Sequence, residues 1–492
     1  MLKEEEFYEH IQRDNESDHR TTSASLNTIE TAWFREFQSI AGQLASLGAK
    51  KQEIGRKKTD RSEADNVRLK ELDQELEVAS HTFQRTLDKL TTVFDQADPA
   101  YAQKQKDLKL ENDLTDLMRE LGEGVVLLQT VTMEDGVWLL LTTSETRKVH
   151  KVDVSKKELN QRLYAFREAL SMTQFDPRES GQALYNLLIA PLQTDLQQAN
   201  TKVLMVSLDG ALRYIPLAAL HNGKQYLIER YALASFNEAA QDNLRTKPKP
   251  IWKVAGLGTS DAHPGFSPLP AVKDELNGIV RQKAADSKGV LDGVIRLNKD
   301  FNEQQLQHLM QEEYPVLHIA SHFQFKPGTE VDSFLLLGDG SRLDLGEMRK
   351  GNYSFKGVDL FTLSACNTAF GDAGEGKEVE GLSVMAQKKG AKGVLATLWS
   401  VADQSTSVLM QTMYRLHQTD QLNKAEALQQ AQLALLNGTV TSGGDQVLNG
   451  HKTEETRSAT TPVRIKTFHA DKQRPYAHPY YWAPFVLMGN WQ

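Results

Sequence analysis

"PVLHIASHF", residues 315–323, and "VDLFTLSACNTAFG", residues 358–371, decide how this chain is read. Each carries a short apolar run that gives way to small and polar residues, Ser321 and His322 in one and Ser364 and Cys366 in the other. Such runs read as strands buried on both faces of a sheet. The pattern recurs in "WKVAGLG" at 252–258, "GVIRL" at 293–297 and "GVLATLW" at 393–399. Between these runs, helical segments are expected at about 270–283, from an Asn302 cap, at about 379–389 and from residue 403. Strands alternating with helices predict an α/β fold, a mostly parallel sheet flanked by helices.

In such a sheet, functional groups collect where strands end at their carboxyl edge. His322 and Cys366 each stand just past an apolar run, so one sheet edge can bring an imidazole and a thiol within hydrogen-bond reach. That is the arrangement of a thiol nucleophile and its base. Cys366 is the only cysteine among 492 residues, so no intramolecular disulfide forms. A lone buried thiol can also serve as a small hydrophobe. His318, inside its strand, reads as a packed residue rather than the base. Zinc fits poorly, because it asks for about four Cys, His or carboxylate ligands. The loop "GDAGEGKE", 371–378, satisfies G-x-x-x-x-G-K, yet Glu378 stands where a phosphate loop needs Ser or Thr. With Asp372 and Glu375 beside it, the loop repels phosphate and reads as a wall of a substrate cleft.

Upstream the character changes. Residues 1–120 hold 18 Lys and Arg against 25 Asp and Glu, nearly the whole excess of a chain whose net charge is −8. Leu26, Ile29, Trp33, Phe37, Ile40, Leu44 and Leu47 follow at steps of three and four, as do Leu69, Leu72, Leu76, Ala79, Phe83, Leu87 and Leu90. Two apolar stripes separated by "GAKKQEIGRKKTDRSEAD" predict a long, coiled-coil-like helical hairpin with a mobile tip, then a third helix over about 102–121. From Gly122, "GVVLLQTVTMEDGVWLLLTTSETRKVHKVDV" reads as a strand meander. Helices at about 156–170 and 180–198 and the strand "KVLMVSL" follow, and "LRTKPKP" at 244–250 reads as a surface linker.

Composition is that of a soluble chain with a large core, 40% hydrophobic and 25% charged. The acidic N-terminus lacks a signal-peptide pattern and no apolar run is long enough for a membrane span, so a cytoplasmic protein without membrane attachment is expected. The negative charge argues against direct nucleic-acid binding; the basic cluster at 50–61 reads as a solvated loop.

"LHIASHFQF", "DLFTLSACNTAFG", "GEGKEVEGLSVMAQKKGAKGVLATLWSVADQST", "KAEALQQAQLALL" and "HPYYWAPFVLMGNW" resemble the successive motifs of the CHAT domain, a cysteine peptidase domain of the caspase and separase clan. "ALYNLLIAPL", "LMVSLDGALRYIPLAALHNGKQYLIERY" and "VAGLG" resemble its N-terminal half, so the resemblance spans about 122–492. It implies a caspase-like fold preceded by the all-α hairpin region: a helical regulatory region at 1–121, a supporting half at 122–250 and a catalytic part at 251–492. The polar stretch 437–479 interrupts the fold as a long mobile loop, with Arg457, Arg464 and Lys466 as conceivable self-cleavage points. The resemblance also makes Cys366 the nucleophile and His322 the general base and acid, with backbone N–H groups near Phe323 and Cys366 as the oxyanion pocket. By the same resemblance Asp403, in "LWSVAD", receives a basic side chain before the scissile bond and Trp399 walls that pocket. Asp403 also stands where a helix N-cap belongs, and Trp399 where a core aromatic belongs.

The function so implied is a cysteine endopeptidase that cuts a protein substrate, needs no cofactor, and serves as an effector of prokaryotic defence. An activating protein or ribonucleoprotein would engage it through the N-terminal helices. A non-catalytic scaffold and a thiol acyl hydrolase or transferase remain as alternatives.

Overall fold

The structure, a computed structural model, describes residues 114–249, 251–286, 288–324, 333–351, 353–364, 377–399, 401, 403–440 and 466–492, with scattered positions between 50 and 78. The chain divides into two compact units, one of them Ser17–Asp116 and the other including all of Leu117–Gln492. In the first, Ser62 Oγ accepts from the N–H of Asp65 and the Asp65 carboxylate accepts from the N–H of Ser62, a reciprocal cap for the helical residues that follow. Arg68 then bonds Glu71 at 2.8 Å and Glu75 at 2.9 Å along that helix. The rest of the expected hairpin lies outside the described residues.

The second unit opens where a helix stops at residue 121. Gly122 and Gly124 have φ of 91° and 82°, a left-handed turn that a residue with a Cβ rarely adopts. Strands β1 (Val125–Met133), β2 (Gly136–Thr142) and β3 (Arg147–Val152) then form the antiparallel meander. Helix α1 (Lys156–Ser171) starts at Ser155, whose hydroxyl accepts from Glu158 N–H. The helix expected over 180–198 is broken into α2 (Arg178–Leu188) and α3 (Gln193–Gln198), with a tight 3-10 turn between them. Pro191 is the reason: it has no N–H to give and its ring clashes with the preceding turn. Strands β4 (Val203–Ser207) and β5 (Ala232–Ser235) follow, then a short helix α4 (Gln241–Leu244).

The remaining elements are β6 (Val254–Gly258), α5 (Val272–Ile279), β7 (Val280–Arg281), β8 (Leu291–Leu297), α6 (Glu303–Gln311) and β9 (Val316–Ala320). After them come β10 (Phe323–Gln324), β11 (Phe334–Leu336), β12 (Arg342–Asp344), α7 (Leu345–Lys350) and β13 (Leu360–Leu363). The chain closes with α8 (Lys377–Lys388), β14 (Gly393–Thr397), α9 (Asp403–Asp420), α10 (Lys424–Asn437) and β15 (Phe485–Gly489). Asn302 caps α6 as expected, accepting from Gln305 N–H at 3.0 Å. Helix α5 is shorter than expected, because Val280 and Arg281 leave it to pair with Leu291 and Asp292.

Among the described residues, twelve strands form one sheet in the order β3-β2-β1-β4-β5-β15-β14-β13-β9-β6-β8-β7. Among the described residues only β3–β2, β2–β1 and β15–β14 are antiparallel. The predicted mostly parallel sheet flanked by helices is therefore the fold. The strand nearest the C-terminus lies in the middle, pairing with β14 on one side and β5 on the other. Strands β6, β9, β13 and β14 are buried along their whole length, the reason their sequences carry unbroken apolar runs. One face carries the large core, where α6 side chains Leu306, Leu309 and Met310 pack with Leu317, Ile319, Phe361 and Leu363. On the other face, Val272 and Leu276 of α5 meet Ala320. A separate three-stranded sheet, β10-β11-β12, was not legible in advance because strands of two or three residues carry no period.

Candidate active site

The chain runs from β6 to β8 on one side and then returns to β9 on the other side of β6. Helices α5 and α6 consequently leave on opposite faces, and the carboxyl ends of β6 and β9 flank a topological switch point. The segments leaving those two strands meet there. His322, two residues beyond β9, is 1% exposed, and its Nε2 lies 2.8 Å from the carbonyl oxygen of Ser267, in the segment after β6.

That carbonyl is presented by a turn. His263 and Phe266 exchange backbone hydrogen bonds of 3.2 and 2.8 Å around Pro264 and Gly265, and Gly265 has φ of 83°. Proline followed by a left-handed glycine makes a type II turn. Ser267 then precedes Pro268, which keeps it extended and its carbonyl out of any helix. The Phe266 ring packs on the His322 imidazole at 5.1 Å, and the Phe334 ring meets Phe266 edge-on at 6.0 Å.

A carbonyl only accepts, so Nε2 of His322 must carry the proton. Burial lowers the basicity of His322 below that of an ordinary histidine; the Ser267 carbonyl opposes this and nearby His263 adds to it. The ring is held neutral, with its lone pair on Nδ1. That atom is buried and, among the described residues, has no hydrogen-bond partner. A buried nitrogen without a partner costs stability, and a neutral imidazole nitrogen in that state is able to accept a proton.

Cys366 lies outside the described residues, as do the rest of 365–376. Its approach is described: β13 runs parallel to β9, pairing Leu360 with Val316 and Leu363 with Ile319, and Ser364 N–H donates to the Ile319 carbonyl at 2.9 Å. Phe323 starts the edge strand β10. Leu336 N–H donates to the His322 carbonyl at 2.9 Å, so the adjacent Phe323–Leu335 pair is a non-hydrogen-bonded one and the Phe323 N–H points away from β11. Trp399, past β14, is buried and donates its indole N–H to the Tyr480 carbonyl at 3.2 Å. Asp403 opens α9.

A buried polar network under this edge escaped sequence reasoning. Glu275 on α5 is 1% exposed, and its Oε1 accepts from Ser364 Oγ at 2.5 Å and lies 2.8 Å from His318 Nε2. His318 Nδ1 is 3.1 Å from the Tyr414 hydroxyl on α9, which is 2.8 Å from Thr362 Oγ1. Strand alternation places His318, Thr362 and Ser364 on the α5 side of the sheet, opposite Leu317, Phe361 and Leu363. His318 is thus a packed, hydrogen-bonded core residue. The signal was present in α5, where Val272, Glu275, Leu276 and Ile279 form the buried stripe and one of the four is a carboxylate. Among the described residues no group of three or more His, Cys, Asp or Glu is placed to hold a metal ion, and no helix is long and apolar enough to cross a membrane.

A model of the CHAT domain family matches residues 178–490, well over half of the chain, and the chain belongs to that family. The meander and α1 precede the matched span, although β1 pairs with β4 in the same sheet. No curated protein matches the chain significantly. Two crystal structures of the Saccharomyces cerevisiae separase–securin complex are similar at 11% identity and a TM-score of 0.45. The similarity covers 87% of this chain and 41% of that chain in one, and 98% and 42% in the other. The complex of Porphyromonas gingivalis RgpB pro- and mature domains is similar at 9% identity and a TM-score of 0.36, over 69% of this chain and 77% of that one. The chain spans about two fifths of the length of the separase-complex chains it matches.

Proposed function

We propose that the chain is a cysteine endopeptidase in which Cys366 attacks a peptide carbonyl and His322 moves the proton. The observation that carries this is Nδ1 of His322, buried, without a partner among the described residues and oriented by the bond from Nε2 to Ser267, on the strand beside β13, which the only cysteine follows in sequence by three residues. Nδ1 takes the thiol proton as the sulfur bonds to the carbonyl carbon. The oxygen charge is held by backbone N–H groups, that of Phe323 among them. When the C–N bond breaks, Nδ1–H protonates the leaving amine; water, deprotonated by the same nitrogen, then cleaves the thioester and frees the thiol.

A peptidyl electrophile tests this reading. It should label the wild-type chain once, at Cys366, with a rate that depends on the peptide sequence, and should not label Cys366→Ala. Labelling indifferent to the peptide would point to a small-molecule acyl hydrolase, and no labelling to a scaffold. In this reading residues 1–121 carry regulation by an activating protein or ribonucleoprotein, and the substrate is a partner protein, consistent with a role in prokaryotic defence. Terminal-labelling proteomics with wild type and Cys366→Ala, with and without candidate activators, would identify it.

Specificity is assigned to Asp403, with Trp399 as a pocket wall. A Lys or Arg before the scissile bond would gain a charge-assisted hydrogen bond of about 1.5–3 kcal/mol, roughly tenfold to a hundredfold in rate. Asp403→Asn keeps an oxygen able to cap a helix, so it should depress cleavage after Lys and Arg with thermal stability unchanged. A positional peptide library on both forms checks this; a wild-type preference for Leu or Met would defeat the assignment.

A further inference from the structure

We infer that Glu275 is a positioning residue for the Cys366–His322 pair, an inference that rests on the peptidase reading above. It clamps together the two strands that deliver those residues. Oε1 of Glu275 holds Ser364, two residues before Cys366, and His318, four residues before His322, and it does so from a helix that follows the segment carrying Ser267. The two strands that lead toward the candidate site are therefore bonded to one carboxylate.

The proton directions are consistent with this. Thr362 can donate to Tyr414, Tyr414 to His318 Nδ1, and His318 Nε2–H and Ser364 Oγ–H to Glu275, so that each donor points toward the carboxylate. All five side chains are buried. Both bonds to Glu275 go to Oε1, while Oε2 is buried with no partner among the described residues, and breaking either bond leaves a further group unpaired in a low-dielectric interior. Simple packing needs no such device: the neighbouring α5 positions Val272, Leu276 and Ile279 bury only hydrocarbon. Catalytic pairs must be held to about 0.5 Å, and side chains on strand ends gain that precision from the hydrogen bonds behind them.

The test reads the thiol directly, since Cys366 is the only cysteine. The full-length protein is alkylated with iodoacetamide from pH 5 to pH 10. Wild type should react at pH 7 faster than the ordinary thiol pKa of about 8.5 alone would allow, because Nδ1 draws the proton as the sulfur attacks, and His322→Ala should lose that excess. If wild type lacks it, the peptidase reading fails. If wild type has it, Glu275→Leu should slow alkylation about tenfold at pH 7 while leaving the rate at pH 10 near wild type, where any thiol is ionised without help. Glu275→Gln, which keeps the Oε1 acceptor, should restore most of the pH 7 rate. A disordered site would instead speed alkylation or leave a profile of an exposed thiol at every pH. Should Glu275→Leu fail to fold, Ser364→Ala removes one arm of the clamp and should shift the profile in the same direction by a smaller amount. A Glu275→Leu or Ser364→Ala profile superimposable on wild type, beside a displaced His322→Ala profile, overturns the inference and spares the peptidase reading.

Discussion

Cys366→Ala and His322→Ala should each reduce peptide cleavage by about a thousandfold or more, and the double variant should lose no more than either single one. The thiol is a poor nucleophile until a base takes its proton, and the imidazole has no substrate chemistry without the sulfur, so the two act as one unit and their losses do not add. Neither change should disturb the fold. His322→Ala removes a buried ring that, among the described residues, has no partner at Nδ1 and one hydrogen bond from Nε2, to the Ser267 carbonyl at 2.8 Å. Single-turnover cleavage of an activated substrate by the four proteins, beside their melting curves, measures both statements. Turnover by Cys366→Ala would remove the central reading, since no second cysteine exists to substitute.

Lys424→Met should stabilise the protein at pH 7 by roughly 3–5 kcal/mol, the pKa drop expressed at about 1.4 kcal/mol per unit. Lys424 is fully buried at the start of α10, with its Nζ 3.4 Å from Asn490 Oδ1 and 6.0 Å from the Trp252 ring. Burial pushes its pKa from the ordinary 10.5 down to about 7; the Asp359 charge opposes this and Lys392 adds to it. In the unfolded chain the amine holds its proton up to about 10.5, so between the two values the unfolded state binds more protons than the folded one. The cost to folding is full below about pH 7 and fades as pH rises toward 10.5. Wild-type stability should therefore climb relative to Lys424→Met between pH 7 and 9.5, a trend read from paired urea titrations. A constant difference across that window would show that Lys424 does not titrate there. Met fills a similar volume without a charge to desolvate.

Much of the architecture was legible because periodicity and caps are local. Burial on both faces makes β6, β9, β13 and β14 apolar at every position, and Asn302 announces α6 by a hydrogen bond three residues away. The place of His322 was legible for the same reason, as a polar group immediately after a buried run sits at a sheet edge, whereas Cys366 lies outside the described residues. Helix ends were less so, as at Pro191, where a break read as continuous, and at Val280, which a strand claimed from a helix.

What the sequence determined by itself is the alternation of strand and helix, the membership of the CHAT domain family, and the place of His322 just beyond a buried strand. Those follow from hydrophobic burial, which every residue reports through its own side chain. The order of strands, with β15 inserted between β14 and β5, was decided only in three dimensions. So were the partner of His322 and the environment of Glu275. Any residue offers a backbone carbonyl, and nothing in the letter S distinguishes Ser267 as the acceptor 55 positions away from the histidine it orients. A carboxylate on an apolar stripe signals burial, but its partners lie 43 and 89 residues distant, and a hydrogen bond depends on ångström-scale approach that chain topology alone arranges.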